Sequence, residues 1–420
     1  MDTAGVHRPA RERVKEKTMS ESMQPVPGAL NPPKRLLMGP GPTMVESRVY
    51  EAMAVPIVSH VDAYFFEVVE DIRRMLQVAF GTENSFTMAV SGTGSAGMEA
   101  AVANVTEPGM KFAVFANGYF SDRMTDMAKR QGAEVVRFEK AWGEVYGDDE
   151  AREFILREKP HVVGYVQAET STGAYQRGHA ICQAAREVDA LTIADCVTSL
   201  AGMPVNVDSS GIDVAYSGTQ KALSCPPGLA PLTLNSRALD RVRARKSNLP
   251  SWYLDLRLLD SYYGDAKRYH HTAPIPLFYA LREALRIVME EGLEQRWQRH
   301  WVNHCAFVAA AAELGMPMHV ADAHQLWTLH TPVLPEGISD VELRKYLLGE
   351  HGIEVLGGFG PLQGKVLRIG LMGASSTQQH IETLLGALQE GLRRQGHAPA
   401  GDPIGAARAV WAHPTERPSI

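Results

Sequence analysis

Six short apolar runs separated by helix-like stretches dominate the chain between about residues 85 and 235. They are "SFTMAV" (85–90), "KFAVFA" (111–116), "AEVVRF" (133–138), "HVVGYV" (161–166), "ALTIAD" (190–195) and "DVAYSG" (213–218). Each is apolar nearly throughout instead of alternating, the pattern of a strand covered on both faces. Helices fit between them: "AGMEAAVANV" (96–105), then "FSDRMTDMAKRQG" (120–132), with Ser121 or Asp122 to cap its start and Gly132 to end it. This alternation predicts an α/β fold on a mostly parallel sheet. From about residue 276 the period turns helical, with Leu277, Leu281, Leu285 and Val288, then Trp297, Trp301, Cys305 and Val308, every three or four residues. That spacing predicts one long helix bridging to a smaller α+β domain, with strands near "LWTLHTPVL" (326–334) and "KVLRIGLM" (365–372). The expected organisation is a flexible arm over 1–34, a large domain over 35–291, a small C-terminal domain over 292–395 and a flexible tail over 396–420. The tail is rich in Pro, Gly and Ala and is expected outside the packed core.

Composition narrows the function classes. With 420 residues the chain can bury a large core, and 42 basic against 48 acidic side chains give a net charge of -6, which argues against a nucleic-acid partner. No apolar run approaches the roughly 18 residues of a membrane span. The first 30 or so residues lack the apolar centre of a secretory signal, and Asp2, Glu12, Glu16 and Glu21 argue against a transit peptide. Cys182, Cys196, Cys225 and Cys305 are widely spaced, with no C-x-x-C pair and no histidine at zinc-ligand spacing. A reducing cytoplasm and no structural metal are therefore expected.

Ligands of an open parallel sheet bind beyond the carboxyl ends of its strands, and several polar residues fall there. In "VSGTGSAGMEAA" (90–101) a strand gives way to a helix through Ser91, Gly92, Thr93, Gly94 and Ser95. Backbone N–H groups and hydroxyls at a helix start suit a phosphate, although a plain turn with a capped helix reads the same way. Asp195, ending "ALTIAD", is either a cap or a carboxylate for a protonated ring nitrogen. Lys221 in "YSGTQKALSCPPG" (216–228) is either a solvated loop charge or an amine for a Schiff base. Mapped to one sheet edge, the three supply what pyridoxal phosphate needs: an anion cradle, a ring partner and an amine. Arg368 is a charge inside an apolar strand and needs an anion, structural or substrate. The adjacent His270 and His271 raise a metal question, but no further ligand stands at suitable spacing.

The ordered motifs "SGTGSAGMEAA", "ANGYF", "AETSTG", Asp195, "SGTQKAL", "YHHT" and "GKVLRIGLMG" resemble the class V aminotransferases of fold type I, pyridoxal-phosphate enzymes. More narrowly they are similar to the alanine–glyoxylate and serine–pyruvate branch, over about residues 35–395. The resemblance implies that Lys221 forms the internal aldimine and Asp195 pairs with the pyridinium nitrogen. It implies that Thr93, Gly94, Ser95 and Gln220 hold the phosphate, that Thr170 reaches the ring hydroxyl and that Val197 packs under the ring. Phe120 stands where relatives often have a stacked tryptophan. Tyr269 and Thr272 would reach the phosphate of the other subunit, so a homodimer with shared sites is implied. Arg368 would hold the substrate carboxylate, with Gly41 of "MGPGPT" (38–43) lining the substrate pocket and His60 of "VSHVDAYF" (58–65) lining it from the partner subunit. The expected reaction is ping-pong transamination between alanine or serine and glyoxylate or pyruvate. Competing readings are a ureidoglycine–glyoxylate or 2-aminoethylphosphonate–pyruvate enzyme, a lyase such as a cysteine desulfurase or kynureninase, and a binding protein that keeps only the fold. The desulfurase needs a reactive cysteine in the C-terminal part, where Cys305 sits at core spacing. The binding protein would have lost the lysine or the aspartate.

Overall fold

The computed structural model describes residues 27–399 and 401–419; most of the expected N-terminal arm, up to residue 26, lies outside the described residues. All six expected strands form: β1 Phe86–Ser91, β2 Lys111–Ala116, β3 Glu134–Glu139, β4 Val162–Val166, β5 Leu191–Asp195 and β6 Val214–Tyr216. A seventh, β7 Leu229–Leu234, completes a sheet of order β1-β7-β6-β5-β4-β2-β3. Six strands run parallel and β7 runs against both its neighbours. Because β7 starts where β1 and β6 end, the chain between β6 and β7 turns back at the carboxyl edge of the sheet, and that turn carries Lys221.

Helices cover the sheet. α1 Ala63–Phe80, α2 Gly94–Val105 and α3 Tyr119–Arg130 pack on it, and every residue of β1 and β4 to β7 is buried, as continuous apolar runs require. α3 starts one residue earlier than expected. Its cap is Gly118 in place of Ser121 or Asp122, and a side chain at position 118 would collide with Glu169 Cγ at 2.4 Å.

The long helix expected from residue 276 is two helices, α4 Ile275–Glu291 and α5 Leu293–Glu313. Gly292, with φ +82, breaks the run and resets the buried face. A second core joins α5, a three-stranded sheet of β8 Leu329–His330, β9 Leu356–Gly357 and β10 Leu367–Gly370, and α6 Gln378–Arg394. Met38 belongs to this core, and Leu36 and Leu37 pair with Ile353 and Glu354. The segment before Gly39 is thus built into the C-terminal half.

The tail expected outside the packed core contains a helix, α7 Pro403–Ala412, laid on α5. Asp402 caps it through Gly405 N, Pro403 and Ala407 are buried, and Trp411 Nε1 donates to Asn303 Oδ1 at 3.1 Å. Alanine favours helix, and a few apolar contacts are enough to dock a short one.

Candidate active site

β1 ends at Ser91, and Gly92 takes φ +144, with a Cβ there meeting Ala96 Cβ at 2.5 Å. A glycine is required. Thr93 then caps α2 with no side-chain hydrogen bond to the helix, so its hydroxyl and the first N–H groups of α2 are free for an anion. Thr93, Gly94, Ser95, Val197 and Gln220 border one cavity of about 200 Å³ with Lys221 and Asp195.

Asp195 is buried, and its carboxylate accepts Val197 N at 2.9 Å and Tyr216 OH at 2.8 Å. Tyr216 is its register partner across β5 and β6. Burial pushes the carboxyl up to about 6 against those hydrogen bonds and the Lys221 charge. Lys221 is also buried, its amine directed at Pro40 O. Burial, then the Arg368 charge, lower its pKa to about 8, while Asp195 and Glu169 pull it back up. Gly41 has φ +110, and a Cβ there would lie 2.8 Å from Lys221 Cδ and 2.9 Å from Nζ. The backbone at Gly41 is therefore pressed against the lysine.

Phe120 lines the cavity from the first turn of α3. Its N–H donates to Glu169 Oε2 at 3.1 Å, while Glu169 Oε1 accepts Ser171 N at 3.0 Å and Ser171 Oγ at 2.6 Å. Burial raises the Glu169 carboxyl to about 7. Thr170 follows Glu169 but stands outside the cavity lining, its hydroxyl 2.9 Å from Thr198 Oγ1. Arg368, on β10, is buried and lowered to about 10 by that burial. Its Nε donates to Gly357 O at 2.8 Å and its guanidinium lies 3.8 Å from the Phe359 ring centre. Among the described residues it forms no ion pair, so the anion its burial calls for is not supplied by a side chain there.

His60, Tyr269 and Thr272 do not join this cavity. Tyr269 is 63% exposed, Thr272 is exposed, and the His60 ring lies 5.2 Å from that of Tyr269. His270 and His271 are spent on hydrogen bonds: their Nδ1 atoms are 2.8 Å apart, His271 Nε2 is 2.7 Å from Ser91 Oγ, and Trp252 stacks on His270 at 4.1 Å. Met98, Arg123 and Tyr216 line the cavity without having been singled out in the sequence. Arg123 follows Phe120 by three residues, a spacing that puts both on one helix face. No cysteine lines the cavity, and Cys305 lies on α5.

The residues fit pyridoxal phosphate. Gln220 Oε1 is buried without a partner, and Gly218 leaves it room, since a Cβ there would sit 2.8 Å away. Turned by half a rotation, the same amide presents two donors to an anion. The uncommitted hydroxyl of Thr93, the carboxylate of Asp195 and the amine of Lys221 then answer a phosphate, a ring nitrogen and an aldehyde.

The family model for aminotransferase class-V matches residues 43–382. The alanine–glyoxylate aminotransferase of Oryctolagus cuniculus is 38% identical over 365 residues, 86% of this chain and 93% of that protein. Among solved structures, an alanine–glyoxylate aminotransferase from Nostoc sp. superposes with TM-score 0.86 at 43% identity, covering 89% of this chain and 98% of that one. The ureidoglycine–glyoxylate aminotransferase from Bacillus subtilis gives 0.90 at 37%, covering 91% and 100%. With the matching model spanning most of the chain and the cavity built for the family's cofactor, this chain is a member of the class V aminotransferases, pyridoxal-phosphate-dependent transferases of amino groups.

Proposed function

We propose that this aminotransferase moves an amino group from a small amino acid, alanine or serine, to a 2-oxo acid, glyoxylate or pyruvate, in two half-reactions at one site. The observation that carries this reading is the buried Lys221 amine, held at a pKa of about 8 beside Asp195 and within reach of the Arg368 charge. Such an amine can both take and give a proton near neutral pH. Relatives named for alanine and glyoxylate support the substrate pair. A second donor, ureidoglycine, is favoured by the likeness to the Bacillus subtilis enzyme.

When bound, pyridoxal phosphate supplies an aldehyde carbon for the amino group and a ring that takes up the electron pair of the broken Cα–H bond. Thr93, Gly94, Ser95 and Gln220 would hold its phosphate, Thr170 its ring hydroxyl, and Val197 and Phe120 would flank the ring. Asp195, its carboxylate oriented by Val197 N and Tyr216 OH, would pair with the ring nitrogen and keep it protonated. Arg368 takes the substrate carboxylate on its planar fork and so aims the Cα–H bond at Lys221. Lys221 Nζ, buried in the same cavity, would take that proton from Cα and hold it for return. Gly41 keeps the backbone close enough to shape the substrate pocket.

The working unit is a homodimer in which Tyr269 and Thr272 of each chain reach the phosphate, and His60 the substrate pocket, of the partner subunit. Exposed Tyr50, Ile57, Tyr64 and Trp252 support an apolar interface. Four free thiols support a reducing cytoplasm, and no helix among the described residues is long and apolar enough to cross a membrane.

A half-reaction screen tests the reading. Candidate amino acids are added singly while the bound cofactor's visible spectrum is followed, with Lys221→Ala as control. Alanine or serine should discharge the spectrum and glyoxylate restore it, and the control should turn over at least ~10²-fold more slowly. Normal turnover by Lys221→Ala, or a response confined to ureidoglycine or aminoethylphosphonate, would sink it.

A further inference from the structure

Two cations line the cavity, Lys221 and Arg123. Only the first has a role in the reaction above. A phosphate ester carries a charge of about -1.5 to -2 near neutral pH. The side chains assigned to it, Thr93, Ser95 and Gln220, are neutral, as are Tyr269 and Thr272, and a helix start offers only about half a positive charge. Lys221 is committed to the aldehyde. The phosphate site as assigned is therefore short of positive charge.

Arg123 stands where that charge is missing. It lies on the first turns of α3, three residues after Phe120, and its Nη1 donates to Ser95 Oγ at 2.8 Å. The guanidinium is 4.8 Å from the Phe120 ring centre and 5.3 Å from that of Tyr119. These contacts hold it beside the start of α2. Among the described residues Arg123 forms no ion pair, although nearby Arg130 pairs with Asp126 and Arg137 with Asp122 and Glu139. One N–H is used on Ser95, which leaves the rest of the planar fork for another acceptor. Its charge also reaches Asp195, where it opposes the effect of burial.

We propose that Arg123 completes the phosphate site, setting its guanidinium against the cofactor phosphate above the first turn of α2 while its stack on Phe120 holds both in place. The proposal rests on the cofactor reading given above. It makes Arg123 a binding residue for the phosphate and gives it no part in proton transfer.

The test uses the full-length, cofactor-free protein, titrated with pyridoxal phosphate, pyridoxal and inorganic phosphate while tryptophan fluorescence is followed. Arg123→Gln should bind pyridoxal phosphate and inorganic phosphate about tenfold or more weakly than wild type, the loss typical of a charge-assisted hydrogen bond, with pyridoxal unchanged. Arg123→Lys, which keeps the charge without the fork, should fall between. Equal weakening for pyridoxal and its phosphate would overturn the proposal and make Arg123 a support for Phe120. Unchanged phosphate affinity in Arg123→Gln would overturn it in favour of a surface arginine. Wild-type protein that binds neither form of the cofactor would bring down the cofactor reading itself.

Discussion

Lys221 shows how the site is set by residues far away in the chain. Its pKa of about 8 comes first from burial and then from Arg368, nearly 150 positions later, while Asp195 and Glu169 oppose both. Because Arg368 lowers this pKa, removing its charge must raise it. Arg368→Gln is expected to move the pH midpoint of Lys221 acylation in the cofactor-free protein upward, and Arg368→Lys to leave it near the wild-type value. The same Gln variant loses the fork for the substrate carboxylate, so kcat/KM should fall by ~10²-fold. An unchanged midpoint would mean that the two charges do not sense each other. Lys221, Asp195 and Thr93 were legible in the sequence because each ends, or closely follows, a run whose burial its composition announced. Tyr216, Glu169 and Arg123 were not. Tyr216 meets Asp195 only through a strand register that no local pattern specifies, and Arg123 is one of many arginines until the distribution of carboxylates in space is known.

At the level of elements, the misreadings have local causes. β7 went unseen because "LAPLTL" holds Pro231, which cannot donate to a ladder and usually marks an edge strand, yet here it pairs with Ala89 in the interior of the sheet. Its antiparallel course turns the chain back at Lys221. The break between α4 and α5 had its signal in Gly292 and in the nine-residue step from Val288 to Trp297, which is out of phase with a single helix. α7 had one too: "DP" at 402–403 is a cap followed by proline at the first helical position, a stronger cue than the composition of the tail. Besides the Trp411 contact, Arg417 N donates to Gln298 Oε1 at 2.9 Å, and Arg408 pairs with Glu382 at 2.7 Å. Trp411→Ala removes a half-buried ring and the Asn303 hydrogen bond, so it should cost about 1–3 kcal/mol in chemical denaturation. Cofactor affinity should not change. A variant as stable as wild type would mean that α7 merely rests on α5.

In the molecule as a whole, Tyr269 and Thr272 face away from their own chain's cavity. Both project to solvent, yet the segment that carries them is not loose, since His271 joins it to Ser91 at the turn between β1 and α2. A segment anchored from behind and bare in front is arranged to present side chains outward. If it serves the partner's cavity, then a chain lacking Lys221 still offers intact Tyr269 and Thr272 to its neighbour. A chain carrying Tyr269→Ala and Thr272→Ala still keeps its own Lys221. Each variant alone should turn over poorly, the first for want of the amine and the second for weak cofactor retention at limiting pyridoxal phosphate. Refolded together, half of the dimers are mixed, and each mixed dimer has one site with every group intact, so roughly a quarter of wild-type activity should return. The lysine variant has no activity of its own to contribute, so recovery above the diluted activity of the double variant has to come from mixed dimers. A mixture no more active than the diluted double variant would show that Tyr269 and Thr272 serve their own chain or none, and the homodimer with shared sites would have to be abandoned.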